Sequence, residues 1–190
     1  MKIILGSSSP FRKQVIEEHG FIVETMSPDV DELSIRTENY VDLPLTLARA
    51  KSESLLPKIS EPAIVITIDT VAEYDGELRE RPMSEEEAFN WLLAYAEGRP
   101  VGTICGVVVV NTKTGKRAEG IDRAKVFFKP MTATVIQEYI KNGNPLRLGG
   151  GFGIQHPLLA PHIERIEGER VSVVGMPITL VKKLIAEVQQ

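Results

Sequence analysis

The run AIVITIDTVAEY at residues 63–74 sets Asp69 in a strand that is otherwise apolar on both faces. A carboxylate there costs several kcal/mol unless it is paired, bound to a metal ion or opened to a cleft. The alternative is a strand-end aspartate bonded to backbone. A second stretch, GSSSPFR at residues 6–12, follows an apolar strand. Ser9 is a good N-cap and Pro10 is ideal at the first helical position. A helix starting where a strand ends offers free N–H groups and a positive dipole end to an anion. Ser7 and Ser8 add hydroxyls, and Arg12 adds a planar fork matched to phosphate oxygens. The same residues also describe a capped helix with a solvated arginine. The stretch is not a Walker loop, because GxxxxGK[ST] is missing.

Other candidates are scattered. DVDE supplies Asp29, Asp31 and Glu32, hard oxygen donors suited to a divalent cation or simply an acidic loop. Lys51 stands four residues from both Leu47 and Leu55, on the inward stripe of a predicted helix. It either snorkels past that stripe or aims its ammonium into a cleft. Arg79 and Arg81 lie in ELRERPMS, where such charges are usually solvated. Gln155 follows a glycine run, where backbone can approach a ligand closely or merely turn. His156 and His162 have no standard zinc spacing. Cys105, the single cysteine, sits in an apolar run and reads as a small core residue. No nucleophile has a paired base. The set suits metal-assisted hydrolysis of a phosphate compound better than covalent catalysis.

These residues need elements to hold them, and strand and helix alternate. KIILG is a buried strand. The helix after it places Phe11, Val15, Ile16 and His19 on one side, with Gly20 at its end. FIVETMS is a second strand. DLPLTLARAKSESLLPKI is a helix with Leu47, Ala48, Leu55 and Leu56 inward. Asp75-Gly76 turns the long strand into ELRE. SEEEAFNWLLAYAEG is a helix with a capping box at Ser84 and Glu87. Two strands follow across TKTG, then the helix TATVIQEYIKNG, then a helix after Met176-Pro177. Early alternation with later hairpins predicts an α/β fold with a mixed sheet, as one domain over residues 1–190, with two lobes around a cleft.

The 190 residues are 43% hydrophobic and 25% charged, with a net charge of −4. That balance argues against a nucleic-acid polymer or an anionic membrane as partner. No apolar run approaches the ~18 residues of a membrane span. One cysteine excludes a disulfide within the chain and fits a reducing, cytoplasmic setting. Met1 leads directly into a strand, so no leader is expected.

In order along the chain, these segments resemble the Maf-like family of nucleoside triphosphate pyrophosphatases. GSSSPFR matches that family's opening AS-x-SPRR-like segment, and Asp31-Glu32 its acidic pair. LARAKS, with Lys51, matches A-x-x-KA; DTVA at residues 69–72 matches DTVV; Glu80-Arg81-Pro82 matches GKP or EKP. GFGIQ at residues 151–155 matches AYGIQ, and VVGMP at residues 173–177 matches VVGLP. Singly each is weak; the ordered set is specific.

The resemblance implies an elongated, twisted mixed sheet flanked by helices, related to the inosine triphosphatase-like fold, and commonly a homodimer. It implies hydrolysis of a nucleoside triphosphate to monophosphate and pyrophosphate with Mg²⁺ or Mn²⁺. Asp69 is then general base, Glu32 and Asp69 hold the metal, and Arg12, Lys51 and Arg81 neutralise phosphate charge. Ser7 and the helix N-terminus hold phosphate oxygens, Phe11 stacks on the base, and Ser9, Thr70 and Gln155 are further substrate-binding residues. Three departures stand out. Phe11 replaces Arg or Trp and is closer to the aromatic subgroup, which favours 7-methyl-GTP. Thr70 and Gln155 match the subgroup acting on dTTP and UTP. Arg147-Leu148-Gly149-Gly150 replaces DKAG, a pattern similar to divergent eukaryotic members. The lost lysine supports one competing expectation, a weakened nucleotide-binding regulator; a phosphatase releasing orthophosphate is a second.

Overall fold

The computed structural model describes all residues, Met1–Gln190. Seven strands and six α-helices alternate: β1 (Lys2–Gly6), α1 (Pro10–Glu18), β2 (Val23–Thr25), α2 (Leu43–Leu55), β3 (Ala63–Tyr74), β4 (Glu77–Arg79), α3 (Glu85–Tyr95), β5 (Val101–Asn111), β6 (Arg117–Phe128), α4 (Ala133–Gly143), β7 (Ile163–Glu167), α5 (Arg170–Val173) and α6 (Ile178–Gln189). They build one sheet of order β2-β1-β3-β5-β6-β7, with β4 paired to β3 off that path. β1 pairs in parallel with β2 and β3, whereas β3–β4 and β6–β7 are antiparallel. The sheet is mixed and flanked by helices, as the alternation predicts.

The chain forms two compact units. The first comprises Met1–Thr70, Cys105–Asp122 and Gly175–Gln190; the second comprises Val71–Ile104 and Arg123–Val174. β3, β5 and β6 each contribute residues to both.

In the first unit, buried Ile4 and Leu5 of β1, Val15 and Ile16 of α1, and Ile64, Val65, Ile66 and Ile68 of β3 form the core with α2 and α6. The α6 side chains that bury, Ile178, Val181, Leu184, Ile185 and Val188, recur at three- and four-residue steps, one helical face. Each such burial contributes roughly 1.5–3 kcal/mol. α2 lies directly on β5: a Cβ at Gly106 would come within 2.4 Å of Pro44 and Leu45 backbone. Only a glycine permits that approach, and α2 carries Lys51.

In the second unit, Tyr95 centres an aromatic cluster, with ring centroids 5.0 Å from Tyr74, 6.3 Å from Phe128 and 5.9 Å from Phe152. α3 begins with Ser84 Oγ accepting from Glu87 N at 3.1 Å. Glu87 Oε2 accepts from Met83 N at 2.6 Å. Asp75 and Gly76 both have positive φ, 54° and 82°, as a tight hairpin turn between β3 and β4 requires.

Three local expectations differ from the structure. His19 is exposed, because α1 ends at Glu18 and His19 is its C-cap, Nδ1 lying 2.8 Å from Val15 O. Leu56 packs against the Ala48, Val108 and Val110 cluster as expected but is only half-buried, because the α-helix gives way after Leu55 to a 3₁₀ turn, Leu56–Lys58, whose period is tighter. β2 is three residues long, and Ile22 before it is 92% exposed.

Candidate active site

α1 starts as its residues dictate. Ser9 Oγ accepts from Arg12 N at 3.4 Å, Pro10 opens the helix, and buried Ser7 accepts from Ser9 N at 3.1 Å. Ser7 and Ser9 therefore shape the helix entry with their hydroxyls. Phe11 is half-buried at the second helical position. Arg12 turns its guanidinium toward β3, donating through Nη1 to Ile68 O at 2.8 Å and through Nη2 to Thr70 Oγ1 at 3.4 Å.

Two residues to which sequence reasoning gave no site role complete this arrangement; one, Cys105, is buried as expected. Cys105 Sγ lies 3.2 Å from Thr70 Oγ1, a second contact to the hydroxyl that accepts from Arg12. Burial pushes the Cys105 thiol up to about 12, so it remains protonated at neutral pH and is no nucleophile. Gly175 covers Arg12: a Cβ there would lie 2.9 Å from Nη2, 3.1 Å from Nε and 3.0 Å from Thr70 Oγ1. Its φ of +85° independently favours glycine. VVGMP carried a weak signal for Gly175, and nothing local marked Cys105.

Beside Arg12 is an ion triad in which Lys51 and Asp69 are buried and Glu32 is exposed. Lys51 Nζ lies 2.5 Å from Asp69 Oδ1 and 2.9 Å from Glu32 Oε1. The side chains of Lys51 and Asp69 are 8% and 10% exposed, that of Glu32 48%. α2 holds Lys51 there because Leu47, Ala48 and Leu55 bury on the same face, and Thr67 Oγ1 donates to Ala48 O at 2.7 Å, pinning α2 to β3. Burial raises the Asp69 carboxyl above its ordinary range; the Lys51 ammonium, then Arg12, oppose that shift. Of the acidic run, Glu32 alone reaches the triad; Asp29 and Asp31 are exposed. Replacing a buried ion pair by apolar residues is often neutral or stabilising, so stability alone does not account for this one.

The donor set fits a hard divalent cation that arrives with phosphate oxygens. Glu32 and Asp69 already converge on one positive centre, Nζ. No group of three or more His, Cys, Asp or Glu side chains is placed to hold a metal ion alone. Mg²⁺ characteristically takes one or two carboxylates plus substrate phosphates.

Arg81 and Gln155 belong to the second unit, and both are exposed. The strand end before Arg81 is fixed by Gly150 N donating to Glu80 O at 2.7 Å, and Tyr95 Oη donates to Gly150 O at 3.0 Å. Arg79 is not solvated: its guanidinium stacks 4.9 Å from the Trp91 ring and pairs with Glu77 at 2.9 Å. His156 Nδ1 accepts from Leu158 N at 3.3 Å within a turn, a structural role. Arg147 is exposed and Leu148 half-buried.

Arg12, Lys51 and Asp69, with the start of α1, are groups of the kind that a phosphate-bearing small molecule requires. The chain belongs to the Maf-like protein family, whose match covers residues 2–188. It is 40% identical over 195 residues to a 7-methyl-GTP pyrophosphatase of Dictyostelium discoideum, covering 99% of this chain and 98% of that protein. It is 32% identical over 189 residues to a dTTP/UTP pyrophosphatase of Bdellovibrio bacteriovorus, covering 97% of each. A nucleoside-triphosphatase / dITP/XTP pyrophosphatase structure from Mycobacterium abscessus overlaps 69% of this chain and 76% of its own, at 18% identity and TM-score 0.41.

Proposed function

We propose that this protein hydrolyses the α–β phosphoanhydride of a nucleoside triphosphate, releasing the monophosphate and pyrophosphate. Its family makes it a hydrolase of nucleotide anhydrides. The observation that carries the mechanism is the buried Asp69, held by Lys51 beside the Arg12-bearing helix start. Asp69 takes the proton of the water that attacks the α-phosphorus; the bond to the bridging oxygen breaks and pyrophosphate leaves. Ser7 and the α1 N-terminus bind phosphate oxygens. Arg12 and Lys51 offset the negative charge that accumulates as the bridging bond breaks. Glu32 and Asp69 would hold a divalent cation, which would supply polarisation of the phosphoryl group. Arg81 and Gln155 are proposed as substrate-binding residues on the family resemblance.

The preferred substrate is proposed to be 7-methyl-GTP. The full-length relative at 40% identity acts on it, and Phe11 offers an aromatic face to a cationic base. Thr70 and Gln155 support a second reading, dTTP or UTP. A panel of 7-methyl-GTP, GTP, dTTP and UTP with Mg²⁺ or Mn²⁺ separates them, with pyrophosphate and orthophosphate measured individually. Pyrophosphate release fastest from 7-methyl-GTP is the expected result. Orthophosphate as the first product, or no product from any nucleotide, would rule the proposal out.

Gly175→Ala tests the seat of Arg12. The added methyl must push the guanidinium aside, and a displacement near 1 Å costs on the order of 100-fold in rate. The left-handed backbone adds about 1–2 kcal/mol of destabilisation. The expected result is a drop in kcat/KM much larger than the modest fall in Tm explains. Unchanged kcat/KM would mean that Gly175 serves only the backbone.

A further inference from the structure

We propose that Lys51 is a latch: without nucleotide its ammonium closes the carboxylate pair to divalent cations, and the triphosphate releases it. This rests on the reading of Glu32 and Asp69 as the metal-holding pair. The geometry is specific. One Nζ contacts both carboxylates, at 2.9 Å and 2.5 Å, and the Lys51–Asp69 contact is buried. Mg²⁺ sits about 2.0–2.1 Å from its oxygens. An ion touching both carboxylates therefore needs the space that Nζ occupies, and two cations in contact repel. Unpaired, a buried ammonium is costly, so it cannot leave until another anion receives it.

The same unit supplies a place for that anion. The α1 start, with Ser7, Ser9 and Arg12, lies along β3 from the triad, Arg12 bonding to Ile68 O and Thr70 Oγ1 on either side of Asp69. Lysine suits the task, because its ammonium rides on a flexible four-carbon stem and can exchange a carboxylate for a phosphate. While latched, Asp69 Oδ1 is occupied by the ammonium. The nucleotide thus frees the base and opens the metal position in one movement. Metal and nucleotide then favour each other's binding reciprocally.

The test is Mn²⁺ titration of the full chain without nucleotide, followed by the loss of the free-ion electron paramagnetic resonance signal. Wild type is expected to bind Mn²⁺ weakly. Lys51→Met leaves both carboxylates unlatched and is expected to bind one Mn²⁺ roughly 5- to 150-fold more tightly, the usual span of a coupling between sites. Lys51→Arg keeps a cation and is expected to stay closed. Adding Glu32→Gln to Lys51→Met is expected to abolish the gain. Equal Mn²⁺ affinity of wild type and Lys51→Met overturns the latch. Should Lys51→Met fail to fold, judged by circular dichroism, Lys51→Gln replaces it, and tight stoichiometric Mn²⁺ on nucleotide-free wild type still overturns the proposal. Failure of the pyrophosphatase reading shows separately, as absent pyrophosphate release by wild type.

Discussion

Asp69→Asn is expected to lower pyrophosphate release by about 10²–10⁴-fold, the usual contribution of a positioned general base. The amide keeps the shape of the carboxylate but cannot accept the water's proton. It also withdraws one of the two carboxylates that meet at Lys51. Lys51 keeps Glu32 at 2.9 Å, so its charge is not left wholly unpaired and the variant is expected to fold. Burial raises Asp69 in the folded enzyme above the ordinary 3.8, and the base form is the ionised one. Activity therefore rises with pH through a limb above 3.8, reported by kcat/KM of the free enzyme.

The stability consequence has the opposite sign. A carboxyl whose folded pKa is raised binds its proton more tightly when folded, so stability falls as pH rises through the window upward from 3.8. Asn removes that loss, so the Tm of Asp69→Asn relative to wild type is expected to increase with pH. Thermal melts and kcat/KM profiles of both proteins check the pair. Near-normal pyrophosphate release by a folded Asp69→Asn would remove Asp69 from the base role.

Arg12→Lys is expected to cost about 10²–10³-fold in kcat/KM, comparable to loss of one preorganised donor at developing charge. The substitution keeps the charge and loses the fork. Two arms of the guanidinium are spent on Ile68 O and Thr70 Oγ1, and the planar group still has N–H donors left for phosphate. A lysine ammonium is a compact point charge and cannot hold that seat while reaching a ligand in the same plane. Thr70→Val removes the 3.4 Å bond while leaving the charge, so it is expected to cost less than Arg12→Lys. Steady-state kinetics of the three proteins, with Tm as the control for folding, decide the matter. Full rescue by lysine would show that Arg12 acts through charge alone.

Much of the site was legible because its signals are local. Ser9 and Pro10 announce a helix start within a few residues, and the structure has the helix there, capped by Ser9. Asp69 stood out because β3 is otherwise apolar, and it is buried. Lys51 on an inward stripe left two readings open. The structure excludes the first, snorkelling: its ammonium is buried and bound to two carboxylates rather than reaching solvent.

The illegible parts depend on distant residues. Among Asp29, Asp31 and Glu32, only the family resemblance singled out Glu32; side-chain type cannot say which one a 3₁₀ turn, Glu32–Ser34, brings to α2. Cys105 looks the same in sequence whether it packs against Val or meets Thr70 across the sheet. Gly175 matters because Arg12, far away in the chain, lies under it. Arg79 reads as solvated in the sequence because nothing local places Trp91 against it.

The sequence by itself determined the alternation of strands and helices, the caps and tight turns, and the oddity of Asp69. Those follow from interactions within a few residues and from hydrophobic period. Tertiary structure alone decided that Glu32, Lys51 and Asp69 share one ammonium and that Thr70, Cys105 and Gly175 seat Arg12. Such contacts arise only when α2 and α1 pack on β3, and packing is set by the whole core rather than by any one segment.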